Sequence, residues 1–165
     1  MRGSLPDDLL GLSNAILRIN VVGADGSQRV GAEIELPRTP GFEVNSIPLT
    51  EGTNTITAVV VVDGAEKTPS AGIIVTRDNI APLVEITSPT PGQLVSGAEV
   101  TVRGTSEAGV EIQLRNDTSG LTASGTSNNN GNYSVNISLR DGVNLLTVVA
   151  TDAVGNSSRT SVEIT

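Results

Sequence analysis

The side chains that could do chemistry in this chain are almost all carboxylates, amides and hydroxyls. Its 165 residues include no Cys and no His, which excludes disulfides, thiol nucleophiles, zinc fingers and His-based triads. A hydrolytic centre would need paired carboxylates, or a Ser with a Lys base. Lys67 is the one lysine, and it falls in the turn-rich stretch Asp63-Gly64-Ala65-Glu66-Lys67-Thr68-Pro69. A solvated turn is a poor setting for a catalytic base, and equally poor for a buried Lys–Asn cross-link. Glu85, Glu111 and Glu163 alternate with apolar residues, which points them to wet faces. The expectation is a protein that is not an enzyme. Hard oxygen ligands remain, and they suit Ca²⁺. The candidate ligands are Asp78, Glu107, Asp152 and Asn156, with Asn79 and Glu51 nearby in the pattern; Asp7, Asp8, Asp25 and Asp63 make a looser second set. The competing reading is that acids simply populate turns and pair with Arg38 or Arg77.

Partners are bounded by the same inventory. The formal charge is -8, and Phe42 and Tyr133 are the only aromatic residues. Phosphates require basic patches and bases require stacking surfaces, so nucleic acid is excluded. Stacking on sugars would need exposed rings, whereas Tyr133 falls on an inward register and Phe42 opens a strand. No apolar run approaches the ~20 residues of a membrane span.

The elements that carry these residues read as strands. Apolar residues are mostly Val, Ile, Leu and Ala, with 18 Gly and 8 Pro between the runs. Period-2 alternation marks Val84/Ile86, Val100/Val102, Val110/Ile112/Leu114, Tyr133/Val135/Ile137/Leu139, Leu146/Val148/Ala150 and Val162/Ile164. Asn128-Asn129-Asn130-Gly131 reads as a hairpin turn. Six or seven such strands in about 85 residues describe a β-sandwich. An earlier stretch repeats the plan. Gly41, Ile47, Leu49, Gly52, Asn54 and Thr57 recur 90 positions later as Gly131, Ile137, Leu139, Gly142, Asn144 and Thr147, and Val75-Thr76 recurs 89 positions later as Ile164-Thr165. In the first copy Leu17/Ile19/Val21, Ile34/Leu36, Phe42/Val44 and Ile56/Ala58/Val60/Val62 form the runs, and its opening strand is short or missing. Val59 and Val61 point outward there, covering a neighbouring surface or leaving an apolar edge.

The string Val102-Arg-Gly104-Thr105-Ser-Glu107-Ala-Gly109-Val-Glu-Ile112 resembles the GTxExGxxV stretch of bacterial immunoglobulin-like repeats. Gly131-Asn-Tyr133-Ser-Val135, Asn144 and Ala150-Thr-Asp152-Ala-Val-Gly155-Asn156 match later parts of that pattern, and Asp78-Asn-Ile-Ala-Pro82 with Val84-Glu-Ile86-Thr-Ser-Pro89 resembles the junction between repeats. Val22-Gly-Ala-Asp25-Gly26 onward also resembles carboxypeptidase-regulatory-like domains, another sandwich family. The expected organisation is all-β: residues 1–4 a vector-type leader, 5–79 a first Ig-like domain and 80–165 a second, the whole cut from something longer. In an Ig-like sandwich the entering linker shares an end with the loops after the second and sixth strands, which would gather the Ca²⁺ candidates. The resemblance implies a structural spacer in an extracellular or surface-attached bacterial protein, with neighbouring domains as partners. A module binding a glycan or protein receptor, as in adhesins, and an accessory domain of a secreted carbohydrate-active enzyme are the alternatives.

Overall fold

Each alternating run becomes a strand because one face of a pleat can be buried while the other stays wet. The computed structural model describes residues 1–165, and they fall into two compact units, Met1–Asp78 and Asn79–Thr165. No helix is long and apolar enough to cross a membrane.

Unit one holds β1 (Arg2–Ser4), β2 (Ala15–Val22), β3 (Gln28–Glu35), β4 (Gly41–Glu43), β5 (Gly52–Val62), β6 (Ala65–Glu66) and β7 (Ile73–Arg77). β5 is the spine. It pairs with β2 along one edge, and on the other with β7 at its start and β6 at its end; β3 extends the sheet beyond β2. β1 and β4 form a separate two-stranded ribbon. Arg2–Ser4, within the stretch set apart in the sequence as a leader, thus form a strand, with Gly3 against the Phe42 ring. Leu17, Ile19, Val21, Val44, Ile56 and Val60 build the core. The outward valines are not left bare: Val59 and Val61 are buried yet lie outside that core cluster. In the ladder Val59 stands opposite Arg18, and Val61 opposite Ile16 and Glu66. Arg18 donates to Glu33 at 2.6 Å and to Glu66 at 2.8 Å, which lays an ion-paired cover over them.

Unit two holds β8 (Val84–Ser88), β9 (Glu99–Ser106), β10 (Glu111–Asn116), β11 (Thr122–Thr126), β12 (Asn132–Ser138), β13 (Asn144–Thr151) and β14 (Ser157–Ile164). One sheet runs β12-β9-β8 and the other β11-β10-β13-β14, all antiparallel. The alternation read from sequence holds: Val102, Ile112, Leu114, Leu146, Val148, Ala150 and Ile164 are fully buried between the sheets, and Glu85, Glu111 and Glu163 face water. After a cis Ser88–Pro89 bond the chain leaves the first sheet and joins the second. Thr165 N–H donates to Gln93 C=O at 3.0 Å, and Val95 N–H donates to Thr165 C=O at 2.7 Å, the bonding pattern of a parallel pair. The Asn128–Gly131 turn corrects one expectation. It is tight, with Gly131 N–H on Asn128 C=O at 2.8 Å and Gly131 at φ 75°, but β11 and β12 belong to different sheets. It is a crossover between sheets and no hairpin; turn chemistry dictates φ, not which sheet the next strand joins.

The repeat explains how the units correspond. β5 and β13 share the Gly-x-Asn opening, β4 matches β12, and β7 matches β14. β2 and β3 pair beside β5 as β10 and β11 do beside β13. β1 sits on β4 as β9 sits on β12, so β8 alone has no counterpart in unit one.

Candidate functional site

The proposed calcium ligands fall on loops. Asp78 closes unit one just after β7 and is exposed. In unit two, Glu107 occupies the β9–β10 turn, and Asp152 and Asn156 occupy the β13–β14 turn. Glu111 pairs with Thr151, which puts these two turns at one end of the sheet. The entering chain joins them there, because Ser106 Oγ donates to Leu83 C=O at 2.7 Å and Ser158 Oγ donates to Pro82 C=O.

Asp152 is already engaged by its own turn. Its Oδ1 accepts the backbone N–H groups of Val154, Gly155 and Asn156 at 2.9, 2.8 and 2.9 Å, and its Oδ2 accepts Asn156 Nδ2 at 2.8 Å. Partial desolvation alone would raise its pKa, yet the bonds from the Asn156 amide and the three N–H groups outweigh it and hold the carboxyl below the ordinary range. Glu107 takes part through its backbone, whose C=O accepts Ser127 Oγ. Within either unit, no three acidic side chains gather at metal-holding spacing. The looser set in unit one separates. β2 carries the Asp63 turn at one end, where Asp63 N–H meets Asn14 C=O, and the Asp25 turn at its other end, beyond Val22. Asp25 and Asp63 therefore lie a full strand apart, because β2 occupies the place of β10 and its following turn points the opposite way from the β5–β6 turn.

The centre of unit two's polar chemistry lies elsewhere, at two buried amides. Asn144, 1% exposed, accepts Arg140 N–H at 2.9 Å on Oδ1, and its Nδ2 donates to Arg140 C=O at 2.8 Å and Gly142 C=O at 2.9 Å. Asn116, fully buried, donates Nδ2 to Asn144 Oδ1 at 2.8 Å and accepts Thr118 N–H at 3.1 Å. One amide thus pins the loop that opens β13, and a second ties that pin to β10. Every group here is satisfied and structural, with no unpaired nucleophile or base among them.

The family model described as a bacterial Ig domain matches residues 88–165, the greater part of unit two. Unit two is a bacterial Ig-like domain. Among solved structures, the fibronectin(III)-like modules of Clostridium thermocellum CbhA are 15% identical over 99% of this chain and 93% of theirs, with a TM-score of 0.44. A Ca²⁺-stabilized adhesin that helps an Antarctic bacterium reach out and bind ice is 16% identical over 99% of this chain and 43% of its own, with a TM-score of 0.46. A 1.5-MDa bacterial ice-binding adhesin is 15% identical over 98% and 55%, at 0.43. The chain spans about half the length of the two adhesin structures. No curated protein matches.

The pin of the Ig-like domain recurs in unit one at the repeat position. Asn54, fully buried, accepts Thr50 N–H at 2.9 Å and Thr50 Oγ1 at 3.0 Å, and its Nδ2 donates to Thr50 C=O and Gly52 C=O at 2.8 Å each. Gly52 and Gly142 both adopt positive φ, 82° and 88°, which the turn requires and glycine permits. The conserved spacing of Gly and Asn was visible as a repeat; its reason, a side chain closing a four-residue loop, was not. A second contact leaves no periodic mark in the sequence. Tyr133 Oη donates to Glu85 C=O at 2.8 Å over Gly104, where any Cβ would meet that carbonyl at 1.9 Å. The ring needs Gly104 to reach across β9 to β8.

Proposed function

We propose that this chain is a non-catalytic structural spacer of a secreted or cell-surface bacterial protein, a string of modules holding other domains at a distance. The observation that carries the reading is where the chain enters and leaves the Ig-like domain. It enters at Pro82, fastened by Ser158 beside the β9–β10 and β13–β14 turns, and it leaves at Thr165, fastened by Gln93 and Val95 at the opposite end of β14. Modules with entry and exit at opposite ends add length when joined in series. Asp152, Asn116 and Asn144 support the same reading, since their polar atoms hold turns of the domain in place. A concatemer of residues 79–165 studied by small-angle scattering tests it. The maximum dimension should grow linearly with copy number, by roughly 35 Å per module from strands of about eight residues at ~3.4 Å each plus their turns. A dimension that saturates after two copies would refute the spacer, and a specific signal on a glycan array would transfer support to the binding-module alternative.

A further inference from the structure

Asn130-Gly131 is the one Asn-Gly pair in the chain, and it lies in the turn that carries the Ig-like domain from β11 in one sheet to β12 in the other. A glycine after an asparagine leaves its backbone nitrogen unscreened by any side chain, so that nitrogen can approach the asparagine's own amide carbon. Every other asparagine is followed by a residue with a side chain. Asn128, Asn129 and Asn130 are all exposed, so water reaches the site.

The closed turn keeps the two reacting atoms apart. Gly131 N–H donates to Asn128 C=O at 2.8 Å, so the nitrogen is already engaged. Neither Asn129 nor Asn130 has positive φ, which with that bond makes a type I turn and sets the Asn130 ψ at about 0°. That angle turns the Gly131 nitrogen out of the plane a five-membered ring would need. Gly131 cannot simply swing round. It is buried, its C=O accepts Ser106 N–H at 2.8 Å, and even a Cβ on it would stand 2.3 Å from Ser106 C=O. Asn128 Oδ1 fixes the rest of the loop by accepting the N–H groups of Asn130 at 2.9 Å and Asn132 at 3.0 Å.

We propose that Asn130 is a self-modification site, shielded while this crossover turn is closed and converted to isoaspartate when it opens. The Gly131 nitrogen attacks Asn130 Cγ. The new C–N bond closes a succinimide, the Cγ–Nδ2 bond breaks, and the amide leaves as ammonia with the proton that the Gly131 nitrogen carried. Water then opens the ring. Attack at Cγ leaves an aspartate, and attack at the backbone carbonyl leaves an isoaspartate with its side-chain methylene in the main chain. Nothing is oxidised or reduced, and water is the only co-reactant. The extra carbon lengthens the path between Asn128 and Asn132, so Gly131 loses its fit between Asn128 C=O and Ser106. The step is therefore one-way, and it marks domains whose sheets have come apart at this turn. It adds to the spacer reading without resting on it.

The test incubates the full-length chain in mildly alkaline buffer beside a synthetic peptide of residues 126–134. Mass spectrometry follows the exchange of amide for acid, and an isoaspartyl methyltransferase reads the isoaspartate. The folded chain should react at least about tenfold more slowly than the peptide, since only its open fraction reacts. Urea above the unfolding transition should bring it to the peptide's rate. Tyr133, the only Tyr, reports unfolding of this domain. By that signal the isoaspartate form should unfold at lower urea than the parent, whereas freshly purified Asn130→Asp, with the charge but no added carbon, should unfold with it. Asn130→Gln should fold like the parent and form no isoaspartate at this position. A folded chain that reacts as fast as the peptide overturns the shielding. Isoaspartate undiminished in Asn130→Gln would place the reaction elsewhere, and an isoaspartate form as stable as the parent would show that the turn tolerates the added carbon; either result overturns the proposal.

Discussion

Replacing Asn144 with alanine removes four hydrogen bonds from a side chain that is 1% exposed. At about 1 kcal/mol each, their loss comes to ~4 kcal/mol. Two corrections run in opposite directions. The Asn116 amide loses its acceptor in a buried site, which adds ~1–2 kcal/mol, while the exposed Arg140 and Gly142 backbone can rehydrate and recover a similar amount. A net cost of about 3–5 kcal/mol remains, a large share of the ~5–15 kcal/mol that stabilises a typical domain. The assay is urea unfolding followed by tyrosine fluorescence. Tyr133 is the only Tyr and the chain has no Trp, so this signal reports the Ig-like domain alone. With a slope of ~1 kcal/mol per molar urea, the midpoint should fall by about 3 M or more. Asn54→Ala should leave that signal in place and instead remove an early transition seen by far-UV circular dichroism. Val143→Ala, at an exposed neighbour, should cost ~0.5 kcal/mol or less. If Asn144→Ala costs under ~1 kcal/mol, the pin is ornamental and the account of the repeat is wrong.

Leu146→Ala should cost about 3–5 kcal/mol for a buried leucine, whereas Thr147→Ala should cost ~0.5–1.5 kcal/mol, because its Oγ1 faces outward yet donates to Asp117 at 2.6 Å; equal costs at the two positions would contradict the burial pattern. Burial pushes the Tyr133 phenol up to about 12, so the phenolate absorbance of the folded chain should titrate near there. Its folded pKa exceeds the unfolded ~10, so its contribution is whole below pH ~10 and lost as pH rises from there toward 12; a midpoint near 10 in the folded chain would refute the burial of the phenol. For Asp152 the sign reverses: its lowered pKa gives stability that is present above the unfolded value of ~3.9 and lost as pH falls through the folded value. Asp152→Asn should therefore destabilise the Ig-like domain at neutral pH and flatten its acid unfolding profile, and an unchanged profile would show that the turn does not use the charge. Since Asp152 Oδ1 already accepts three N–H groups, exchanging millimolar calcium for chelator should leave the Tyr133-detected melting curve in place; a large shift would restore the carboxylates as a cation site.

The sandwich was legible where both signals of a strand coincided. In unit two, alternation and turn residues agree over six of the seven strands, β11 (Thr122–Thr126) having no apolar run to mark it, and the inward residues Ile112, Leu114, Leu146 and Val148 are fully buried. Unit one was harder, because its pattern is broken by partial edges. β6 is a two-residue strand, and β1 is a three-residue strand with no buried residue of its own. Val59 and Val61 show a limit of a different kind: alternation correctly turned them outward, but their burial depends on Arg18 and Glu66 meeting from distant parts of the chain. Asn116 follows the alternating run Val110/Ile112/Leu114 and is fully buried although polar, because its Nδ2 donates to Asn144 Oδ1, a partner 28 residues away that no local pattern reveals. The acids at Asp25 and Asp63 were grouped by type, and only the register of β2 against β5 separates them.

The parallel contact between Gln93–Val95 and the end of β14 bears on how the Ig-like domain answers tension. Pulling Pro82 away from Thr165 drags Gln93–Val95 and the tail of β14 in opposite directions along their common axis. The bonds from Gly92 to Glu163, from Val95 to Thr165 and from Thr165 to Gln93 then share the load and must shear together instead of unzipping one by one. Under a force ramp the Ig-like domain should therefore hold until these bonds fail together, and then open in a single high-force step instead of peeling strand by strand.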